Sequence, residues 1–435
     1  MLAKEALFIF GAESLPFHAF YRLAICISNL SSDTYDVERV WALIHNRLAP
    51  HIHIKERLMS KSKEAEPLSR FFLDMRWLEA SNPRDQIFAI HGLLSDLGVV
   101  LPPPDYSKPI TTIYREAYRA VIEYDCRCKS LSSLNYGTIE ASIPGLPSWV
   151  PKLVGKPISP PPAPSYLPVT HHPEIHFSDD GFQLHCQGLH MGSVRSCAGE
   201  SVLYTSSLKN LSQVYKPRLL QALGGSKDQI SAATMLWNTQ VYAKFTQFAS
   251  FNYYRPQSEQ ALEALYMCLR GGHAKPRSEK FQREYEDYRE FVRVLSEGFT
   301  RLDELRRMWD EGMQDNVWGD DWRGSLDLAD LVLTDEFQVL KLLMGQDSLK
   351  EVFELISDTI GNFTIFATNR GELGIGNFSI QPGDEIIYFS GNDHPLVLRP
   401  KDGLYKIVAA VYIHELLDNV MWDENSEAFR EYTII

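Results

Sequence analysis

The sequence predicts an α+β chain: mainly helical N-terminal and middle regions, and a small C-terminal β-barrel-like module that recruits strands from residues 175–195. Three observations lead there. Apolar residues recur at helical spacing through most of 1–145 and again through 207–360. A proline-rich stretch, 147–173, interrupts the helical pattern. Short apolar or alternating runs separated by Gly, Asn, Asp and Pro occupy 175–195 and the last 75 residues.

The elements follow in order. Ala6 to Phe10 reads as a short strand ending at Gly11. Pro16 suits a first helical turn, where its missing N–H is not needed, with Phe17, Phe20, Leu23, Ala24 and Ile27 behind it. Val37, Val40, Trp41, Ile44 and Leu48 make a second stripe, and Pro67 opens a third with Phe71, Phe72, Met75 and Leu78. Asn82 and Pro83 open a fourth helix, placing Asp85 near the positive end of its dipole. Ile110, Ile113, Tyr114, Ala117 and Val121 mark a fifth. Residues 1–150 are thus a helical region and 151–174 a proline-rich linker, extended because proline supplies no N–H. An SH3-type ligand is the sharper reading of that linker. Residues 175–200 are strands, with Asp179, Asp180 and Gly181 as turn chemistry between Phe177 and Phe182. Residues 205–360 are helical again, including 230–248, 259–269 and the charged 279–309. In the last, Phe281, Tyr285, Tyr288, Phe291, Val292, Leu295 and Phe299 form an apolar side. Five runs then make the β module at 361–425: 363–367, 373–375, 385–389, 396–398 and 405–412. The strands at 175–195 are expected to join it, because alone their edges would stay unpaired.

Composition narrows the function. Lys and Arg total 43 against 56 Asp and Glu, a net charge of −13, so the surface as a whole repels phosphate backbones and no nucleic-acid partner is expected. The densest basic run, Lys55 to Lys63, is diluted by Glu64 and Glu66. The six cysteines, at 26, 126, 128, 186, 197 and 268, lack paired zinc-ligand spacing and read as reduced thiols of a cytoplasmic protein. No apolar run approaches the ~20 residues of a membrane span. Residues 1–14 carry Glu5 and read poorly as a signal peptide.

Searches for chemistry fail. There is no phosphate-binding G-x-x-x-x-G-K-[ST] loop, no G-x-S-x-G elbow and no H-E-x-x-H. His171, His172 and His176 cluster, but Pro173 prevents a helical turn that would align them, and His51 and His53 read as a solvated pair. No catalytic residue, cofactor or metal is assigned.

Several motifs carry a resemblance instead. Residues 82–93, NPRDQIFAIHGL, are followed by PDYSKPITTIYREA at 104–117, LPSWVP at 146–151 and EALYMCLRGG at 263–272. The tail adds FATNRGELGIG at 366–376, PGDEIIYFSGNDHPLVLRP at 382–400 and YKIVAAVYIHELLD at 405–418. In this order the motifs resemble those of fungal heterokaryon-incompatibility (HET) domain proteins. Departures exist: Lys152 and Leu153 stand where that family usually has Asp–Trp, and Glu415 and Asn419 where its tail has glycines. The motif residues singled out, as structural or interaction positions, are Pro83, Arg84, Asp85, Asp105, Tyr106, Pro147, Ser148, Trp149, Pro151, Gly383, Asp384 and Arg399. Physically, Arg84 and Asp85 read as a cap and ion pair, Asp105 as an N-cap cluster, and Trp149 as a buried anchor. Arg399 reads as the partner of Asp384 or Asp393.

The resemblance implies that residues 1–150 are the tail end of a HET-type domain whose N-terminal core, Toll/interleukin-receptor-like in fold, should precede them. The chain would then be truncated. It also implies a role in fungal nonself recognition and programmed cell death. The expected function is a non-enzymatic regulatory or interaction segment with a protein partner or self-association. The alternatives are an NAD-cleaving death effector whose catalytic part lies elsewhere, and a decayed fragment.

Overall fold

A computed structural model of the chain describes residues 7–10, 13–16, 80–125, 143–151, 175–198, most of 245–253, 258–270, 278–293, 363–389, 392, 394–414 and 429–435, with a few single positions between. The helices expected around 20–78, the linker at 152–174, and Cys26, Cys126 and Cys128 lie outside the described residues.

The N-terminal strand pattern forms β1 (Leu7–Phe10), paired antiparallel with β2 (Glu13–Pro16). Pro16 is thus the last residue of β2, and the helix expected behind it, Phe17 to Ile27, lies almost wholly outside the described residues. The proline's fixed φ and absent N–H are compatible with the last residue of an edge strand. Downstream, α1 (Asp85–Phe88) and α2 (His91–Asp96) are short, and α3 (Ile110–Asp125) is the long helix of this region. The apolar stripe of α3 is buried as its spacing dictates, at Ile113, Tyr114, Ala117, Tyr118, Val121 and Ile122.

The remaining order is β3 (Ile175–Phe177), β4 (Leu184–Cys197), α4 (Ser258–Leu269), a helix α5 over 279–293, and β5 (Thr364–Thr368). Then come β6 (Leu373–Gly376), β7 (Glu385–Phe389), β8 (Leu396–Lys401), β9 (Leu404–Ala410), β10 (Tyr412–Ile413) and β11 (Phe429–Ile434). β3 and β4 indeed join the C-terminal strands in one sheet of nine. The expected end of the module at 425 is too early. β11 is hydrogen-bonded inside the sheet, although its polar, charged sequence FREYTI lacks the apolar run of its neighbours.

β4 is the strand on which the sheet turns. It pairs with β3, β5, β7 and β11. Gly188 sits opposite Phe389 on one edge and Arg430 on the other. Successive pairings β4–β11–β9–β8–β7 return to β4, so these strands form a closed ring. Closing a ring requires β4 to bend. Irregularities occur between His190 and Gly192 against β7, and between Val194 and Ser196 against β5. Gly192 takes φ +146, a backbone that L side chains rarely adopt.

Packing follows the alternation of the strands. Leu184, Cys186, Ile387, Phe389, Leu398, Ile407 and Tyr432 from the ring share one core with α3 and Trp149. The opposite alternation, with Ile386, Tyr388, Val397 and Val408, forms a second core with Phe366 and Met191. β5, β6 and β10 pack against α4 and α5 in a third core, where Tyr266, Phe281, Tyr285 and Tyr288 stack within about 6 Å of one another.

Gly188 is needed for space. A Cβ there would lie 2.7 Å from Ile387 Cγ2 and 2.8 Å from Phe389 Cδ1. We expect Gly188→Val to destabilise the chain by about 1–3 kcal/mol through overpacking, read as a lower urea midpoint. A second expectation concerns acid. Burial, with smaller repulsion from Arg430 and Arg370, lowers the His190 pKa below 6.5, against an opposing pull from Glu385. A depressed imidazole favours the neutral form in the fold, so its contribution is present above the unfolded value and lost as pH falls through the folded one. His190→Gln should therefore flatten part of the stability loss between about pH 7 and pH 5, measured by urea titration at each pH.

Candidate functional site

The motif residues at 82–117 clasp one another. Asn82 Oδ1 accepts from Arg84 N at 3.1 Å, which sets the turn into α1. Arg84 Nε then donates to Lys108 O at 3.2 Å, and the Tyr106 hydroxyl donates to Asp85 Oδ1 at 2.5 Å. Arg84 and Asp85 thus both reach the neighbouring loop, through a backbone carbonyl and a tyrosine hydroxyl. Asp105 accepts from Ser107 N at 2.8 Å and Ser107 Oγ at 2.7 Å, forming an Asx turn just before Pro109, whose carbonyl receives the first bonds of α3. Those Ser107 bonds hold the Asp105 carboxyl below its ordinary range. The bond to Asp85 pushes the Tyr106 hydroxyl up. Phe88 meets Tyr106 edge to face at 4.8 Å.

Sequence reasoning missed the deeper part of this clasp. The buried Tyr114 hydroxyl lies 2.9 Å from Pro83 O and 2.7 Å from the Gln86 side-chain amide. Both are acceptor oxygens, Pro83 O and Gln86 Oε1, and the single hydroxyl proton is directed to one of them at a time. Burial pushes this phenol well up. A tyrosine in an apolar helical stripe reads as core, and its polar tip leaves no spacing signal.

The LPSWVP segment docks onto the ring. Pro147 and Pro151 bracket it. Trp149 is fully buried, its Nε1 donating to Phe182 O at 3.0 Å and its ring 5.1 Å from Phe177. Its anchor role therefore faces the β3–β4 hairpin as well as the helices. That hairpin also meets α3, where Arg115 lies 3.7 Å over Phe182 and Arg119 5.0 Å over Phe177.

Ser148 fills a gap between strands. β9 and β11 run parallel through one residue pair, Tyr405 and Ile434. Just beyond it, Ser148 N and Oγ both donate to Ile435 O, at 3.0 and 2.5 Å, and Ser148 Oγ accepts from Ile407 N at 3.0 Å. The hydroxyl supplies the pairing that two diverging strands no longer give each other. Its donor and acceptor functions are both occupied by backbone.

The third cluster lies at the turn before β7. Gln381, Pro382, Gly383 and Asp384 form a turn closed by Asp384 N to Gln381 O at 3.2 Å, with Gly383 at φ +92 in the position that demands it. Asp384 is buried at 2% exposure and takes a bidentate bond from Arg399, Nε–Oδ1 2.8 Å and Nη2–Oδ2 2.9 Å. Arg399 Nη2 also donates to Ser379 O at 2.6 Å, and Gln381 N to Asp384 Oδ2 at 2.9 Å. Asp384 is therefore a partner of Arg399, while Asp393 lies outside the described residues. The paired carboxylate raises the Arg399 pKa further. Nearby, burial pushes the Cys197 thiol up to about 11, away from reactive thiolate chemistry.

Ser148 and Arg399 line one cleft of about 610 Å³, between residues 143–150 and the ring, with Asn377, Ser379 and Lys406 as further polar walls. Its size falls in the range of small-ligand sites. The motifs at 82–108 do not reach it. His171 and His172 lie outside the described residues, while His176 is in β3.

Two outcomes follow. Ser148→Ala removes the hydroxyl that bonds both Ile407 N and Ile435 O and should lower stability by about 1–3 kcal/mol, measured by denaturant unfolding. Arg399→Lys should not restore what Arg399→Ala loses, because a lysine cannot make the bidentate bond; equal urea midpoints for Lys and wild type would contradict this.

Among the described residues no helix is long and apolar enough to cross a membrane. No curated protein and no solved structure matches the chain. The family model of the Het-6 beta-barrel domain matches residues 266–432, which take in the end of α4, α5, β5 to β10 and most of β11. Residues 266–432 of this chain are thus similar to the Het-6 beta-barrel domain, a domain of fungal heterokaryon incompatibility proteins.

Proposed function

We propose that this chain is a non-enzymatic regulatory and interaction segment of a fungal nonself-recognition protein, acting in the cytoplasm on a programmed cell-death response through a protein partner. The observation that carries this reading is the use of the motif side chains. Asp85, Ser148, Trp149, Asp384 and Arg399 bond to other elements of the same fold, and Asp105 closes its own turn. A catalytic group needs a free face toward its substrate; these hold the helical region, the connector and the ring in one arrangement. We read the ring as a small barrel, and the helical region with its docked connector as the part that reports on the barrel's state.

The cleft beside Ser148 and Arg399 is where such a report would be made, since both its walls belong to different segments of the chain. A partner segment seated there would contact the connector and the ring together.

Trp149→Ala tests the coupling. Removing a buried Trp should cost about 3–5 kcal/mol and abolish any change in cell-death frequency that the full chain produces when expressed in fused fungal cells. The milder Trp149→Phe keeps the ring and should retain part of the effect. Purified full chain incubated with NAD should release no nicotinamide above the protein-free rate. Release that a single substitution abolishes would replace this reading with an enzymatic one.

A further inference from the structure

Three neighbouring strands bring two histidines and a glutamate together on one face. His176 of β3 lies directly across from His185 of β4, and Thr433 of β11 lies across from His185 on the other edge. Residues directly opposite share a face of a sheet, as do residues two apart on a strand, so Glu431 joins them. The sequence groups His176 with His171 and His172. The fold regroups it with residues 9 and 255 positions further on, at 185 and 431.

The three side chains are close enough to share one ion once the exposed His176 ring turns, since in-plane lone pairs of parallel rings do not converge. The two imidazoles stack with centroids 4.5 Å apart and planes 2° from parallel. Glu431 reaches both, Oε2 to His176 Nε2 at 3.7 Å and Oε1 to His185 Nδ1 at 3.6 Å. One candidate ligand atom from each residue lies within 4.8 Å of the others. Contacts of 3.6–3.7 Å are too long for direct hydrogen bonds. They suit two donors of one ion: bonds of about 2.1 Å in a tetrahedron set donors roughly 3.4 Å apart.

We propose that His176, His185 and Glu431 bind a divalent transition-metal cation of the zinc class. Two imidazoles and one carboxylate select such ions over magnesium or calcium, which prefer all-oxygen shells. His176 and Glu431 are more than half exposed and His185 is 18% exposed, so an ion enters from solvent and keeps an open position for water. The Thr433 hydroxyl, 3.2 Å from His185 Nδ1, competes for that nitrogen in the free protein and moves aside on binding. The bound ion clips β3, which follows the proline-rich linker, to β4 and β11 of the ring.

Titration of the full chain with Co²⁺, followed by its visible absorption and by Zn²⁺ competition, tests the site. One equivalent with the intense bands of a four-coordinate ion is expected. His176→Ala and Glu431→Gln should each weaken binding at least about tenfold, the scale seen when even the groups behind metal ligands are removed. Both side chains are exposed, so urea midpoints in chelator should match wild type, and only wild type should gain thermal stability from Zn²⁺. A His171→Ala/His172→Ala double variant should bind as wild type does. The absence of saturable binding, or binding unchanged in both His176→Ala and Glu431→Gln, overturns the proposal.

Discussion

A strand hydrogen-bonded along both edges cannot be lost without freeing the backbone of every neighbour, and β4 is such a strand. Its 14 residues run about 45 Å at ordinary strand rise. At Leu184 and Cys186 it is flanked by β3 and β11, and at Gly188 by β11 and β7. The family match begins at residue 266, so β4 lies outside it, yet the ring of matched strands closes through it. Buried N–H and C=O groups that lose a partner cost about 1–3 kcal/mol each. The C-terminal strands therefore depend on a segment some 170 residues upstream, a number set by the span from Cys197 to Thr364, 364 − 197 = 167.

That dependence extends to the helical region by three clasps. α1 is held to the turn before α3 by Tyr106–Asp85 and Arg84–Lys108. α3 reaches the β3–β4 hairpin through Arg115 and Arg119 over Phe182 and Phe177. The connector reaches the ring through Trp149 and through Ser148, which bonds both β9 and the residue after β11. Each clasp joins segments remote in sequence, and together they make one core of α3, Trp149 and the ring strands.

Much of this was legible before the structure. Gly, Asn, Asp and Pro separators located β5 to β9, and the lone-edge argument placed the strands at 175–195 in the C-terminal sheet. The helical stripe of α3 was read from its spacing. β11 was not legible because its buried positions, Tyr432 and Ile434, follow two exposed charges, Arg430 and Glu431, and its pairing is dictated by β4. Of the motif residues, Trp149 and the Arg399–Asp384 pair could be assigned physical roles from residue type. The partners of Ser148 could not, since a serine bonding two backbones 259 and 287 residues away leaves no local pattern. The His–His–Glu face was invisible for the same reason: cross-strand register, not spacing, assembles it.

Amide hydrogen exchange of the full chain, resolved by peptide mass spectrometry across a denaturant series, tests the central dependence on β4 most directly. Peptides covering 184–197, 385–389, 404–410 and 429–434 should open together with one common free energy, and 110–125 should share it. Protection that persists in the C-terminal strands while 184–197 exchanges by a separate, lower-energy opening would show that the ring does not need β4, and would contradict the account.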